Sequence, residues 1–248
     1  MSFDEPVRQD GAFTIGFVAA LALECASLRR QSPRAERWLV VQSGPGAARA
    51  AAAASRAVDA GADLLVSWGL CGGLGVGVAP GTVIVPRRVL SEGEAALPVD
   101  SAWHSRLALL AAELGVHRGD LLTVAAPLES PASKRAAAEA VNAVAVDMES
   151  AGIAAVAARA RVPFVALRVV VDAVDDALPP GAADWIDEQG RRRASAVLRA
   201  VVDARRWRAL LTLARRYRVA SGVLDRLARS LAAQRMLGAG GAALQAGS

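Results

Sequence analysis

The stretch Val144–Asp176, VAVDMESAGIAAVAARARVPFVALRVVVDAVDD, decides how this chain folds. Ala143–Val146 reads as a buried strand that ends on an Asp-Met-Glu-Ser turn. Met148–Arg161 is rich in alanine and reads as a helix. Phe164–Val171 is a nearly unbroken apolar strand that carries one charge, Arg168, and closes on Asp172. Continuous apolar strands alternating with helices indicate a sheet covered on both faces. Three acids, Asp147, Glu149 and Asp172, stand at the ends of these apolar elements. Charges placed there are either helix caps or chemistry.

Upstream the same alternation continues. Phe13–Ala20 reads as the first strand, Ala22–Arg30 as a helix and Arg37–Gln42 as a second strand. Ala47–Ala60 is a helix, ended by Gly61 as glycines commonly do. Leu64–Trp68 is a short buried strand, Gly69–Gly81 a glycine-rich loop, and Thr82–Pro86 another strand. Trp103–Leu114 and Pro131–Val141 read as helices around a strand at Leu121–Ala125. Residues 1–12 read as a loose leader, and the small-residue tail after Gly238 is expected to fray. Residues 13–181 therefore form an α/β domain, and 182–237 a helical C-terminal extension of it.

Composition narrows the function classes. At 248 residues the chain can bury one large core. With 54% hydrophobic and 21% charged residues it is globular rather than disordered. Aromatics are only 4%, too few for a stacking surface on single-stranded nucleic acid. The net charge of +5 is carried almost wholly by arginine, with Lys134 the one lysine, and GC-rich coding is enough to produce such a bias. Thirteen arginines fall between Arg191 and Arg235, in the extension and not on the domain, so no nucleic-acid partner is expected. Arginine beside apolar residues there fits either a solvated helix face or a peripheral contact with anionic lipid. Cys25 and Cys71 have no metal-ligand spacing and suit a reducing cytosol. The first ten residues are polar, so no signal peptide is expected, and glycines and prolines break the uncharged run Leu64–Pro86 as a membrane span. A cytoplasmic protein, at most peripheral to the inner membrane, is the expectation.

Several residues carry candidate chemistry. Ser43-Gly44-Pro45-Gly46 follows a strand and opens a helix, where backbone N–H groups favour an anion or a sugar oxygen. It is only part of a dinucleotide fingerprint, because Arg49 stands where a third glycine belongs. A tight turn is the plain alternative. Gly69-Leu70-Cys71-Gly72-Gly73 lets backbone come close to a ligand or to another backbone. Asp147 can be an N-cap with Glu149 favoured by the helix dipole, and Met148 can be core. Glu24 alone reads as a solvent-facing helix residue. Asp172 is harder to dismiss, since a carboxylate at a buried strand end is costly unless paired or functional. Arg168 needs a counter-charge, for which Glu149 is the candidate.

Taken in order, these pieces resemble the purine nucleoside phosphorylase and methylthioadenosine nucleosidase superfamily. The resemblance runs through Gly16–Glu24, Ser43–Gly46, Gly69–Gly73, Pro80-Gly81, Val146-Asp147-Met148-Glu149, and Val162-Pro163-Phe164 to Asp172. It is most similar to the hopanoid-associated phosphorylase branch, through Ala145–Ser150, Asp172 to Asp175 with Ala177-Leu178-Pro179-Pro180, and the Arg-rich tail. The resemblance implies a three-layer α/β/α fold with a central mixed sheet. It implies cleavage of the N-glycosidic bond of an adenosyl nucleoside, adenosylhopane in that branch, releasing adenine. Asp172 matches the acid that protonates purine N7, Glu149 the carboxylate that grips the ribose hydroxyls, and Met148 the ribose contact. Glu24 matches the acid that orders the attacking water in the nucleosidases. Ser43, Gly44, Gly46, Gly69 and Leu70 fall in the nucleophile or phosphate loops, with Arg168 and Asp147 in support. No metal or cofactor is implied, and phosphate enters only as a co-substrate. Bacterial phosphorylases hold that phosphate with Arg and Ser near the glycine-rich loop. Here Ser67 and Leu70 stand in those places, and only Arg49 or a neighbouring subunit's arginine is left to supply a guanidinium. Hydrolysis is therefore a serious option. A methylthioadenosine/S-adenosylhomocysteine-type nucleosidase and a non-catalytic nucleoside binder are the alternatives. By resemblance the protein is a homo-oligomer.

Overall fold

The computed structural model of the chain describes residues 13–32, 37–178, 190 and 207–233. The leader, the tail after Gly238 and half of the expected C-terminal extension lie outside these residues. Among the described residues, ten strands form one mixed sheet. They are β1 (Thr14–Ala19), β2 (Arg37–Gln42), β3 (Leu64–Gly73), β4 (Val83–Ile84), β5 (Arg88–Ser91), β6 (Leu97–Pro98), β7 (Val116–His117), β8 (Asp120–Thr123), β9 (Ala143–Asp147) and β10 (Phe164–Asp172). The helices are α1 (Ala22–Arg29), α2 (Ala47–Asp59), α3 (Ser101–Leu110), α4 (Pro131–Val141), α5 (Ser150–Ala160) and α6 (Trp207–Ala233).

The sheet is organised by β3 and β10, which run parallel from Phe164 opposite Leu65 to Asp172 opposite Gly72. The first half of β3 pairs with β1 in parallel, and its end, Gly72 and Gly73, pairs antiparallel with β9. One long strand thus reaches from the β1 half of the sheet to the β9 half. Along β10 the side chains alternate. Val165, Leu167, Val169 and Val171 join the core under α1, α3 and α6. Phe164, Ala166 and Val170 join the core under α2 and α5. This is the strict period-two alternation of a strand buried on both faces, and it makes three layers. α6 belongs to the first of these cores, where Leu224, Leu227, Ala228 and Leu231 are buried at helical spacing.

Two expectations are corrected. Gly69–Gly73 is not loop. Its backbone completes β3, and glycine is required because side chains from neighbouring elements press on that strand. The helix expected from Met148 begins at Ser150, since Asp147 still belongs to β9 and Met148-Glu149 form the turn between. The short strands β5, β6 and β7 carry too few residues to show a periodicity and were not legible as strands.

Candidate active site

The C-terminal ends of β3, β9 and β10 surround a cavity of about 810 Å³. Its lining residues include the acids Glu24, Glu149 and Asp172 and the lysine Lys134, beside apolar side chains, among them Leu70, Met148, Leu128, Leu178, Leu213 and Tyr217. Ligands of open α/β sheets bind in this position, beyond the carboxyl ends of the strands.

Glu24 sits in the first turn of α1. Its Oε2 accepts from the Leu21 N–H at 2.8 Å and its Oε1 from the Leu70 N–H at 2.8 Å. It is only 2% exposed, against the solvent-facing reading of an isolated Glu. Burial raises its pKa above the ordinary value of 4.5, with Arg168 opposing. Gly69 makes the approach possible: it has φ +153°, and a Cβ there would stand 2.5 Å from Glu24 Oε1 and 2.7 Å from Arg168 Nη1.

Arg168 and Asp147 form the buried node beneath the cavity. Arg168 Nη2 lies 2.7 Å from Asp147 Oδ2 and 3.6 Å from Glu149 Oε2, and it donates to Ser67 Oγ at 2.7 Å. The principal partner of Arg168 is thus Asp147, and Glu149 is secondary. Asp147 also accepts from the Ser150 N–H at 3.2 Å, the Ser150 hydroxyl at 2.5 Å and the Thr123 hydroxyl at 2.7 Å. Asp147 is not the N-cap of α5, which is Glu149 without a side-chain cap bond; from the end of β9 it binds the first residue of the helix and neutralises Arg168 as well.

Glu149 turns toward the cavity. Its Oε1 accepts the Gly46 N–H at 3.0 Å, at the N-terminus of α2, where the helix dipole favours an anion. Burial nevertheless pushes its pKa up to about 7, helped by Asp147 and opposed by Arg168. The Ser43-Gly44-Pro45-Gly46 turn has its N–H groups already engaged: Ser43 donates to the Ala19 carbonyl at 2.9 Å, Gly44 to that of Ala20 at 3.2 Å and Gly46 to Glu149. Only Pro45 of this turn lines the cavity. Its part is to position Glu149, and no N–H cradle is left for a phosphate. The Leu70 N–H is likewise taken, by Glu24. Arg49 is exposed and donates to the Pro45 carbonyl at 3.1 Å, away from the cavity lining.

Asp172 ends β10 at a bulge. Val170 pairs with Cys71 and Asp172 with Gly72, which leaves Val171 without a register partner. Val171 and Asp172 both line the cavity at this bulge. Asp172 Oδ2 accepts from Lys134, a residue to which sequence reasoning gave no role. Its signal was present: the one lysine of a chain in which the remaining 28 of 29 basic residues are arginine. Burial raises the Asp172 pKa, and Lys134 lowers it. Among the described residues no three His, Cys, Asp or Glu side chains converge on a metal site.

Comparison with known proteins agrees with this architecture. No curated protein matches the chain in sequence. Among solved structures, the chain is similar to the 5′-methylthioadenosine/S-adenosylhomocysteine nucleosidase of Neisseria meningitidis, crystallised with methylthio-immucillin-A. The TM-score is 0.69 at 18% identity, over 89% of this chain and 99% of that one. Futalosine hydrolase of Helicobacter pylori gives a TM-score of 0.70 at 13% identity, over 90% and 98%. S-adenosylhomocysteine nucleosidase of Streptococcus pyogenes gives 0.66 at 17% identity, over 90% and 98%. At these identities the likeness is one of fold. The family follows from the sequence itself: residues 34–203, most of the chain and all of its sheet beyond β1, match the family model of the phosphorylase superfamily, and the chain belongs to that superfamily.

Proposed function

We propose that the protein cleaves the N-glycosidic bond of an adenosyl nucleoside and releases adenine, with water as the nucleophile. The observation that carries this reading is the convergence of Glu24, Glu149, Asp172 and Met148 on one cavity. Each acid has a task its surroundings suit. Asp172, whose pKa burial raises, is placed to give a proton to purine N7 as the bond from C1′ to N9 breaks. General acid catalysis of this kind supplies on the order of 10²–10⁴-fold. Glu149, fixed by the Gly46 N–H, accepts from the ribose hydroxyls while Met148 packs on the sugar. Its charge favours the oxocarbenium-like transition state. Glu24 orients a water toward C1′ and takes the proton the water loses as the new C1′–O bond forms.

Hydrolysis is preferred because the nucleophile end is held by Glu24, with the loop N–H groups and Arg168 already engaged inside the protein. A phosphate dianion beside that carboxylate is poorly held. The many apolar side chains that line the cavity, Leu128, Leu178, Leu213 and Tyr217 among them, suit a large apolar group on the 5′ carbon, and adenosylhopane is the substrate we favour. Methylthioadenosine is the smaller alternative. Among the described residues no helix is long and apolar enough to cross a membrane. α6 instead exposes Arg215, Arg218, Arg226 and Arg229 together with Leu211 and Val219. That face supports a peripheral contact with anionic lipid, where such a substrate resides. Failure to sediment with anionic vesicles at low salt removes the lipid contact.

The test is adenine release from adenosylhopane and from methylthioadenosine, with and without phosphate. Release without phosphate that is lost in Asp172→Asn is expected. Release only with phosphate overturns the hydrolytic assignment, and no release from either substrate overturns the reading as a whole.

A further inference from the structure

Lys134 stands in the first turn of α4, where a helix dipole disfavours a cation. Its side chain is 1% exposed. All three ammonium hydrogens have acceptors: Asp172 Oδ2, the Ala173 carbonyl at 2.9 Å and the Asp176 carbonyl at 2.9 Å. A buried ion pair is a poor stabilising device, because desolvating both charges offsets most of their attraction. Apolar side chains of similar volume serve stability as well. The pairing of the chain's one lysine with the acid that faces the cavity thus calls for a different reason.

We propose that Lys134 is a positioning residue for Asp172: it fixes Oδ2, leaves the transferable proton on Oδ1, and stabilises the carboxylate that forms as the proton passes to the leaving base. The inference rests on the nucleosidase reading of the cavity. Burial disfavours the Asp172 carboxylate, and by itself this opposes transfer of the proton. An ammonium on the opposite oxygen acts on the charged form only. Its effect therefore grows as negative charge develops, and this is the differential stabilisation that lowers a barrier. Besides Lys134 on α4, the charged groups facing Asp172 are Asp176 in the following loop and Arg216 on α6, which pair with each other. Glu24 and Glu149 line the same cavity. Lys134 is thus the one cation among the described residues that touches the Asp172 carboxylate.

The experiment compares wild type, Lys134→Met, Lys134→Arg and Asp172→Asn in the full chain, against an adenosyl nucleoside and against a nitrophenyl riboside, whose leaving group needs no proton. For Lys134→Met the adenine-releasing kcat is expected to fall about tenfold or more. The alkaline limb of its pH profile is expected to move up by about one unit, since the acid loses its counter-charge. Nitrophenyl riboside cleavage is expected to change little, and Lys134→Arg to restore the limb. Equal losses on both substrates, or an unmoved limb, reduce Lys134 to a structural role and overturn the proposal. Should Lys134→Met not fold, the wild type still decides the matter. Lysine labelled with ¹⁵N at Nζ gives one side-chain signal in this chain. That signal is expected to titrate with Asp172 and to lose the titration in Asp172→Asn. A signal that does not follow Asp172 overturns the coupling. Because this readout needs no substrate, it separates failure of the coupling from failure of the nucleosidase reading.

Discussion

Replacing Arg168 with methionine tests the buried node beneath the cavity. The guanidinium is 1% exposed and lies between Asp147 and Glu149, with hydrogen bonds to Ser67 Oγ, to Ser150 Oγ at 3.2 Å and to the Leu70 carbonyl at 3.4 Å. Burial disfavours its charge, yet Asp147, Glu149 and Glu24 together hold its pKa above the ordinary value. Methionine fills much of the volume but leaves Asp147 buried without a counter-charge. Removing one partner of such a pair costs about 3–5 kcal/mol. In a chain of this size each kcal/mol lowers Tm by about 2–4 °C, so a fall of about 6–20 °C is expected. The assay is thermal unfolding by calorimetry at neutral pH. Asp147→Asn in the same chain is expected to recover part of the loss, because the carboxylate nearest the lost guanidinium is then neutral. A Tm within about 2 °C of wild type refutes the reasoning, since it shows that Arg168 and Asp147 do not depend on each other for their burial. Arg168→Met is also expected to raise KM, because Glu149 loses its second support.

Gly69→Ala inserts a methyl group against Glu24 and Arg168 at a positive φ. A loss of about 2 kcal/mol or more, with loss of activity, is expected in denaturant unfolding, and a wild-type midpoint counts against the close approach. Leu227→Ala, in the core under α6, is expected to cost about 2–5 kcal/mol. Leu211→Ala, 68% exposed at the cavity mouth, is expected to leave Tm unchanged while weakening binding of apolar nucleosides, and the opposite ranking by calorimetry removes α6 from the core. Glu149 governs a pH effect. Its folded pKa of about 7 lies above its ordinary 4.5, so between these values the native state keeps a proton the unfolded chain has released. Its contribution to stability is present below the lower value and lost as pH rises toward the upper one, by about 3 kcal/mol. Glu24 and Asp172 act in the same direction, and His104, lowered by burial, in the opposite one. Glu149→Gln is therefore expected to flatten the fall in stability across that window, and an unchanged slope in urea unfolding argues against a desolvated Glu149.

The sequence by itself determined the alternation of strands and helices, because unbroken apolar runs such as Phe164–Val171 have no stable arrangement other than a sheet covered on both faces. It also determined the ends of β10 and α4 and the family, and it marked Asp172 as a charge needing a reason. It did not show that Gly69–Gly73 is strand, since glycine reads as loop until the side chains crowding it are known. Glu149 does face Arg168, but the nearer partner, Asp147, was not legible for a related reason: the two acids are two residues apart, and only the turn between β9 and α5 sets their distances to the guanidinium. The Ser43–Gly46 turn reads as an anion cradle until Ala19, Ala20 and Glu149, distant in sequence or at strand ends, are seen to take its N–H groups. Lys134 was read as composition alone. Its meaning comes from a carboxylate 38 residues away. Secondary structure follows from local periodicity and steric preference, whereas the ionisation and orientation of a buried acid depend on which charges the fold brings within a few ångströms of it, and no local pattern records those distances.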